Sequence, residues 1–278
     1  MVFLESMLKC RLLQQGQAIT KKRITLGGIE YYKQDNYADY GQGGETMKLS
    51  ARLEAVAARV LVGLSAADIG ADHALLSVYL IRQGICPRMV IGEVADGPYK
   101  RARRYVRSQD LHRVIEVRKG NGLEVLAPAE VATVVIAGLG GKNTADILCC
   151  SLARAYTYQR FVFQPMRPVY PLRKLIADLG WAISHEDIVR DTHDYYPVIT
   201  VEPRRHPAYE LDDLELELGP LVLEQAQRPE VRGYLGQELS RHRGIVAGLE
   251  RSNSPAAEEK LLLYRRRVKR LKEMIDHG

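Results

Sequence analysis

Cysteine is scarce and unpatterned in this 278-residue chain: Cys10, Cys86, Cys149 and Cys150 form no C-x-x-C pair and no regular framework. That argues against a disulfide scaffold, and a reduced, cytoplasmic protein is the expectation. The histidines and carboxylates show no metal-ligand spacing either, so no metal site is expected. A secretory signal is missing, because Lys9, Arg11, Lys21, Lys22 and Arg23 fall in the first thirty residues without a clean apolar run. The longest apolar stretch, around Val56 to Ile81, is broken by Arg59, Asp68 and Asp72, too often for a membrane span. Nor does one sign of charge dominate. Forty Lys+Arg stand against 34 Asp+Glu, a net of +6, which is compatible with a polyanionic partner without demanding one.

What remains is the balance of a globular protein with a sizeable core: 46% apolar and 27% charged residues, which excludes a disordered or collagen-like chain. The first 46 residues are polar, with four tyrosines between Tyr31 and Tyr40, Gly-Gly pairs at 27–28 and 43–44, and no sustained period. They are expected to be a flexible extension, or an upstream start ahead of a natural one at Met47. The rival reading is an RNA-touching arm with stacking tyrosines.

From Met47 the pattern changes. Leu49, Leu53, Val56, Ala57 and Val60 recur at helical spacing behind a cap at Ser50. Strand-length apolar runs follow at 66–69, 89–92, 114–117, 133–137 and 160–163, separated by helical stretches at 75–83, 98–110, 144–155 and 171–179. Such alternation argues a parallel, doubly wound α/β sheet over 47–205, and 182–190 with 197–203 reads as an antiparallel edge pair. Beyond 206, Leu235, Leu239, His242, Val246 and Leu249 step by 4, 3, 4, 3, and Leu261, Tyr264, Val268, Leu271 and Ile275 by 3, 4, 3, 4. Two such seams joined across Asn253-Ser254-Pro255 predict an antiparallel helical hairpin, a short coiled coil.

The chemistry concentrates where strands end. Ala67-Asp68-Ile69-Gly70-Ala71-Asp72-His73 closes the first strand of the sheet, at the carboxyl edge where open α/β sheets bind ligands. A dinucleotide would want G-x-G-x-x-G with its pyrophosphate over a helix N-terminus. This loop has one glycine and a second carboxylate, Asp72, near that position. Asp72 would repel a pyrophosphate and suits a cationic or zwitterionic ligand, which favours S-adenosyl-L-methionine over a nicotinamide dinucleotide. Glu93 ends the next strand, placed to accept both ribose hydroxyls of an adenosine cofactor. Asn121, between Gly120 and Gly122, can meet the adenine edge. Ala137, Gly138 and Gly140 close the fourth strand with little side chain. Each is bland alone, since a glycine after a strand is usually a turn; four at successive strand ends are not.

Met47-Lys48-Leu49-Ser50 and Arg52-Leu53, the 68–74 loop, Gly92-Glu93 with Gly97-Pro98, Gly120-Asn121-Gly122-Leu123-Glu124-Val125-Leu126, Ile136-Ala137-Gly138-Leu139-Gly140-Gly141, Phe163-Gln164-Pro165 and Leu218-Gly219-Pro220 together resemble the bacterial tRNA (adenine-22-N1)-methyltransferase family, from Met47 to about Met274. The resemblance implies a Rossmann-like class I methyltransferase sheet with a C-terminal hairpin, S-adenosyl-L-methionine as methyl donor and tRNA as substrate. Two positions depart: Asn121 stands where the family usually has Asp, and Met166 follows Gln164-Pro165 where Asn is expected.

Adenine N1 lies on the Watson–Crick edge, so the base must be unpaired or flipped, and positioning is the main contribution to rate. Asp72 and His73 are candidates near the acceptor, with Gln164 and Pro165 as pocket wall. Asp72 could instead bind the methionine ammonium or cap the helix at Leu75, and His73 could be a structural hydrogen-bonder. Five basic residues at Lys100, Arg101, Arg103, Arg104 and Arg107, and six at Arg265, Arg266, Arg267, Lys269, Arg270 and Lys272, are candidate phosphate faces. A monomer is expected, with the oligomeric state left open. Other readings are methyl transfer to rRNA, protein or a small molecule, and a non-catalytic RNA-binding protein that keeps the fold.

Overall fold

The computed structural model describes residues 21–26, 29–34, 47–204, 206–251 and 254–277. The chain divides into two compact units, Met1–Thr46 and Met47–Gly278. In the first, strands β1 (Lys21–Leu26) and β2 (Ile29–Gln34) pair antiparallel, Lys21 opposite Gln34 and Leu26 opposite Ile29. This ribbon departs from the expectation of no alternating period. Its signal is local: Gly27-Gly28 between two strand-length runs is the sequence mark of a two-residue hairpin connection. Tyr31 and Tyr32 fall on β2, whereas Tyr37, Tyr40 and Cys10 lie outside the described residues.

The second unit is built on a seven-stranded sheet of order β5-β4-β3-β6-β7-β9-β8. Strands β3 (Ala66–Ile69), β4 (Met89–Glu93), β5 (Ile115–Lys119), β6 (Thr133–Gly140) and β7 (Arg160–Met166) are parallel; β8 (Ala182–Asp191) and β9 (Asp194–Glu202) add an antiparallel edge. Every residue of β3 and β4 is buried, which is why these strands read as continuous apolar runs. The helices connecting them are α1 (Ala51–Ala57) ahead of the sheet, then α2 (Leu75–Arg82), α3 (Asp96–Ser108), α4 (Gly141–Cys150), α5 (Leu152–Ala155) and α6 (Tyr170–Asp178). Successive strands step one way from β3 to β5 and the other way from β6 to β7. The switch point therefore lies between the carboxyl ends of β3 and β6.

Aromatic packing anchors the core at β7. Phe161 stacks on Phe163 at 5.4 Å and on Trp181, the chain's only tryptophan, at 5.5 Å between ring centroids. All three are buried, and truncating any of them to alanine costs on the order of 3–5 kcal/mol.

After β9 come α7 (Asp213–Leu218), α8 (Pro220–Leu223), α9 (Pro229–Leu249) and α10 (Pro255–His277). A capping box starts α7: Asp212 accepts from the backbone of Leu214 and Glu215, and Glu215 reaches back to the Asp212 N–H. The two long helices form the expected hairpin. Leu235, Leu239 and His242 of α9 and Leu271 of α10 are buried, while the tip positions Val246, Leu249 and Leu261 are half-buried. The hairpin base shares one apolar cluster with Ile188 of β8 and with Leu214, Leu218 and Val222. Arg173 of α6 locks this junction. Its guanidinium donates to Glu186 at 2.8 Å and to the carbonyls of Leu216, Glu217 and Leu218 at 3.1, 2.8 and 3.2 Å, meeting the orphan acceptors at the end of α7. Among the described residues no helix is long and apolar enough to cross a membrane.

Candidate active site

Between β3 and α2 the backbone turns through Gly70 at φ +79°, Asp72 at φ +46° and Ala74 at φ +58°. Glycine takes such angles freely and aspartate tolerates them, but alanine pays about 1–2 kcal/mol. Hydrogen bonds hold the loop in this shape: Gly70 N–H donates to the Gly92 carbonyl at 2.9 Å, and Asp72 N–H to Glu93 Oε1 at 2.5 Å. Strain maintained in this way marks binding sites. Ala74, not Asp72, occupies the N-cap of α2, and it makes no side-chain cap, so the capping role considered for Asp72 is not what the loop uses.

The loop borders a cavity of about 550 Å³ at the switch point. Asp68 lines it from β3, Gly70, Asp72 and His73 from the loop that follows, Gly92 and Glu93 from β4, Asn121 and Gly122 from beyond β5, and Ala137, Gly138 and Leu139 from β6. Eight of the nine positions expected around a cofactor thus share one wall. The ninth, Gly140, is the N-cap of α4, where its carbonyl accepts from the Thr144 hydroxyl at 3.1 Å. Gln164 and Pro165 are off this wall. Gln164 is fully buried behind it, donating to the Pro165 carbonyl at 3.3 Å. Its Oε1 accepts from Arg52, a residue that lines the cavity from α1 and places its guanidinium 5.5 Å from the Tyr196 ring centroid. Arg52 is among the residues that carry the family resemblance, and its helix position alone gives no sign that it faces a cavity.

Two carboxyl groups in the wall are perturbed. Burial pushes Asp68 up to about 7; the Ser77 hydroxyl at 3.3 Å opposes the rise and the neighbouring Glu93 adds to it. Glu93 is raised by burial too, against the pull of the Asp72 N–H. Asp72 is half-exposed and already paired: Arg101 Nε donates to it at 2.9 Å, and His73 Nε2 lies 3.3 Å away.

Arg101 therefore turns from the basic face of α3 toward the cavity. Lys100, Arg103, Arg104 and Arg107 remain exposed. The C-terminal run is more divided. Arg267 is buried against Asp213 at 2.6 Å and also bonds Glu217; Arg270 bonds Asp212, Arg265 meets Glu250 at 2.7 Å, and Lys269 lies 3.9 Å from Glu273. Of those six, Arg266 and Lys272 alone have no ion pair among the described residues.

Residues 49–199 match the family model of a methyltransferase domain. A tRNA (adenine(22)-N(1))-methyltransferase of Bacillus subtilis is 32% identical over 237 residues, 84% of this chain and 99% of that protein. The chain belongs to this methyltransferase family. Its fold superposes on the crystal structure of the B. subtilis m1A22 tRNA methyltransferase TrmK with a TM-score of 0.74 at 28% identity, covering 83% of this chain and 100% of that one. Sp1610 of Streptococcus pneumoniae, solved in complex with S-adenosyl-L-methionine, gives 0.72 at 27% identity over 82% of this chain and 100% of its own. The family model runs from α1 into β9, and the solved structures extend the likeness to more than four-fifths of the chain.

Proposed function

We propose that this member of the family transfers a methyl group from S-adenosyl-L-methionine to N1 of an adenine in tRNA, adenine 22 by analogy with the B. subtilis relative. The observation that carries the reading is the meeting of Asp72 and Glu93 on one cavity at the switch point, tied by a direct hydrogen bond. The donor set fits the cofactor. Asp68 and Glu93 are carboxyl groups left short of positive charge by burial, which ribose hydroxyls and a sulfonium would relieve. Gly70, Gly122 and Gly138, all at positive φ, keep Cβ atoms off the wall.

When bound, the cofactor supplies an electrophilic methyl carbon on sulfur, so the chain need provide no nucleophile. Its residues orient and exclude water instead. Glu93 takes the ribose hydroxyls and Asn121 the adenine edge. Asp72 contributes negative potential near the cationic product, tempered by Arg101. Gln164 acts through Arg52 and not by touching the base directly. A target adenine must leave its stack to reach N1, and Met166, 41% exposed at the end of β7, offers an apolar surface where the family's amide is replaced. The exposed cations of α3 hold phosphates without reading sequence. This chemistry belongs in the cytoplasm with its substrate, on a monomer.

Incubation with unmodified bacterial tRNA and labelled cofactor, followed by nucleoside mapping, should yield 1-methyladenosine at one position. Saturating cofactor with no 1-methyladenosine overturns the reading. Label in rRNA, protein or a small molecule instead would transfer the activity to another acceptor, for which Met166 is the motivating departure.

A further inference from the structure

Beyond Gln164 and Pro165 the chain runs through Met166, Arg167 and Pro168 into α6. On one side this turn is wedged against the start of α4: a Cβ placed on Gly141 would lie 2.3 Å from the Pro168 carbonyl oxygen and 3.0 Å from Val169 Cα. Gly141 directly follows β6, the strand that gives Ala137, Gly138 and Leu139 to the cavity wall. A shift of the turn is therefore a shift of the wall.

On its other side the turn reaches the hairpin. Arg167 donates to one oxygen of Glu238 on α9, a carboxylate whose side chain is 1% exposed, and Arg241 Nε donates to the other at 2.8 Å. Arg241 also bonds Glu217, Glu217 takes Arg267 of α10, and Arg267 closes on Asp213. Alternating charges thus run unbroken from α10 through α7 and α9 to the turn behind the cavity. Glu217, Glu238 and His242 bring potential ligand atoms within 4.8 Å of one another, but guanidinium groups already engage both carboxylates, so the cluster is an ionic seam rather than a metal cage.

We infer that Arg167 is a positioning residue: its bond to Glu238 fixes the 164–168 segment, and with it the Gln164–Arg52 contact, against the C-terminal hairpin. Most of the seam serves stability, yet Arg167 is separable from it. It is half-exposed, and Glu238 keeps Arg241 when Arg167 is removed, so no buried charge is orphaned. What its loss releases is the register of the turn.

The activity readout rests on the methyl-transfer reading above, so the test carries a second readout that does not. Arg167→Met, Arg167→Lys and Glu238→Gln are compared with the wild-type chain for kcat and KM on tRNA, cofactor Kd by calorimetry, melting temperature, and amide hydrogen exchange over residues 164–169. The expected result for Arg167→Met is a kcat at least tenfold lower, with tRNA and cofactor affinities within threefold, an unchanged melting temperature and faster exchange in the turn. Arg167→Lys should recover most of kcat, and Glu238→Gln, which leaves the guanidinium in place, should lower kcat in the same direction. Overturning results are a kcat for Arg167→Met within twofold of wild type, or weakened tRNA binding with a salt slope lower by about one, which would make Arg167 a phosphate contact. Should the wild-type chain make no 1-methyladenosine, the function fails separately, and exchange still decides the tie: rates over 164–169 unchanged in both Arg167→Met and Glu238→Gln overturn it.

Discussion

The backbone N–H of Asp72 lies 2.5 Å from a carboxylate oxygen of Glu93, so the strained loop after β3 is fastened to the tip of β4 across the mouth of the cavity. One carboxylate shapes the loop and presents its remaining acceptors to the ligand. Glu93→Ala loses both functions; Glu93→Gln keeps one acceptor for the loop. A hydrogen bond to a charged acceptor contributes roughly 1.5–3 kcal/mol, so Glu93→Ala should weaken cofactor binding by about 10- to 150-fold in calorimetry. Glu93→Gln should fall between it and wild type. Affinity for Glu93→Ala within twofold of wild type removes Glu93 from the cofactor site.

Asp68 links the same site to pH. Its folded pKa of about 7 lies above its ordinary 3.8, so the folded chain holds a proton that the unfolded chain releases between those values. The associated stability is fully present below about pH 4 and is lost as pH rises through 7. Asp68→Asn keeps an acceptor for Ser77 and has nothing to ionise. In the absence of cofactor its unfolding free energy should gain on that of wild type from pH 5 to about 7 and level off above, by on the order of a few kcal/mol at the upper end. Parallel curves across that range would show Asp68 to be ionised throughout.

The strands of the sheet were readable because burial on both faces leaves little but apolar residues, as in β3 and β4, and the ligand loop was readable because its chemistry is contiguous from Asp68 to His73. Contacts distant in sequence were not. Arg52 and Gln164 are 112 residues apart, and nothing local in a single arginine on an amphipathic helix says that it faces a cavity. The C-terminal arginines show the same limit from the other direction. Periodicity places Arg267 and Arg270 on a helix but cannot separate a solvated cation from one seated on Asp213 or Asp212 of a short helix more than fifty residues upstream. The β1–β2 ribbon is hard to read because its strands, KKRITL and IEYYKQ, mix charged with apolar residues and keep neither an apolar run nor a strict alternation.

Arg173 and Glu186 test how the hairpin is joined to the sheet. Both side chains are 1% exposed, and Gly219, at φ +109°, passes so close that a Cβ there would lie 2.6 Å from Glu186 Oε2. Arg173→Met strands a buried carboxylate and three helix-end carbonyls, a loss of about 3–5 kcal/mol. The melting temperature should drop by roughly 10 °C. Adding Glu186→Gln should recover part of the loss, since no unpaired ion then remains inside. A double variant less stable than the single one would mean that the packing of the arginine stem, and not its charge, secures the junction.

The two basic runs should respond differently to substitution, because most cations of the α3 run are free of ion pairs among the described residues and most of the C-terminal run are not. On α3, Arg103, Arg104 and Arg107 are exposed and have no ion pair among the described residues, whereas Arg265 and Arg270 are neutralised by Glu250 and Asp212. Neutralising a phosphate contact removes about 0.9 from the slope of log K against log salt. The triple replacement Arg103→Gln, Arg104→Gln, Arg107→Gln should therefore lower tRNA affinity at least tenfold at low salt and flatten that slope by two or more, with cofactor affinity unchanged. Arg265→Gln with Arg270→Gln should move tRNA affinity less than threefold and be felt first in thermal stability. The opposite ranking would place the phosphates on the hairpin and show that RNA opens the ion pairs seen there.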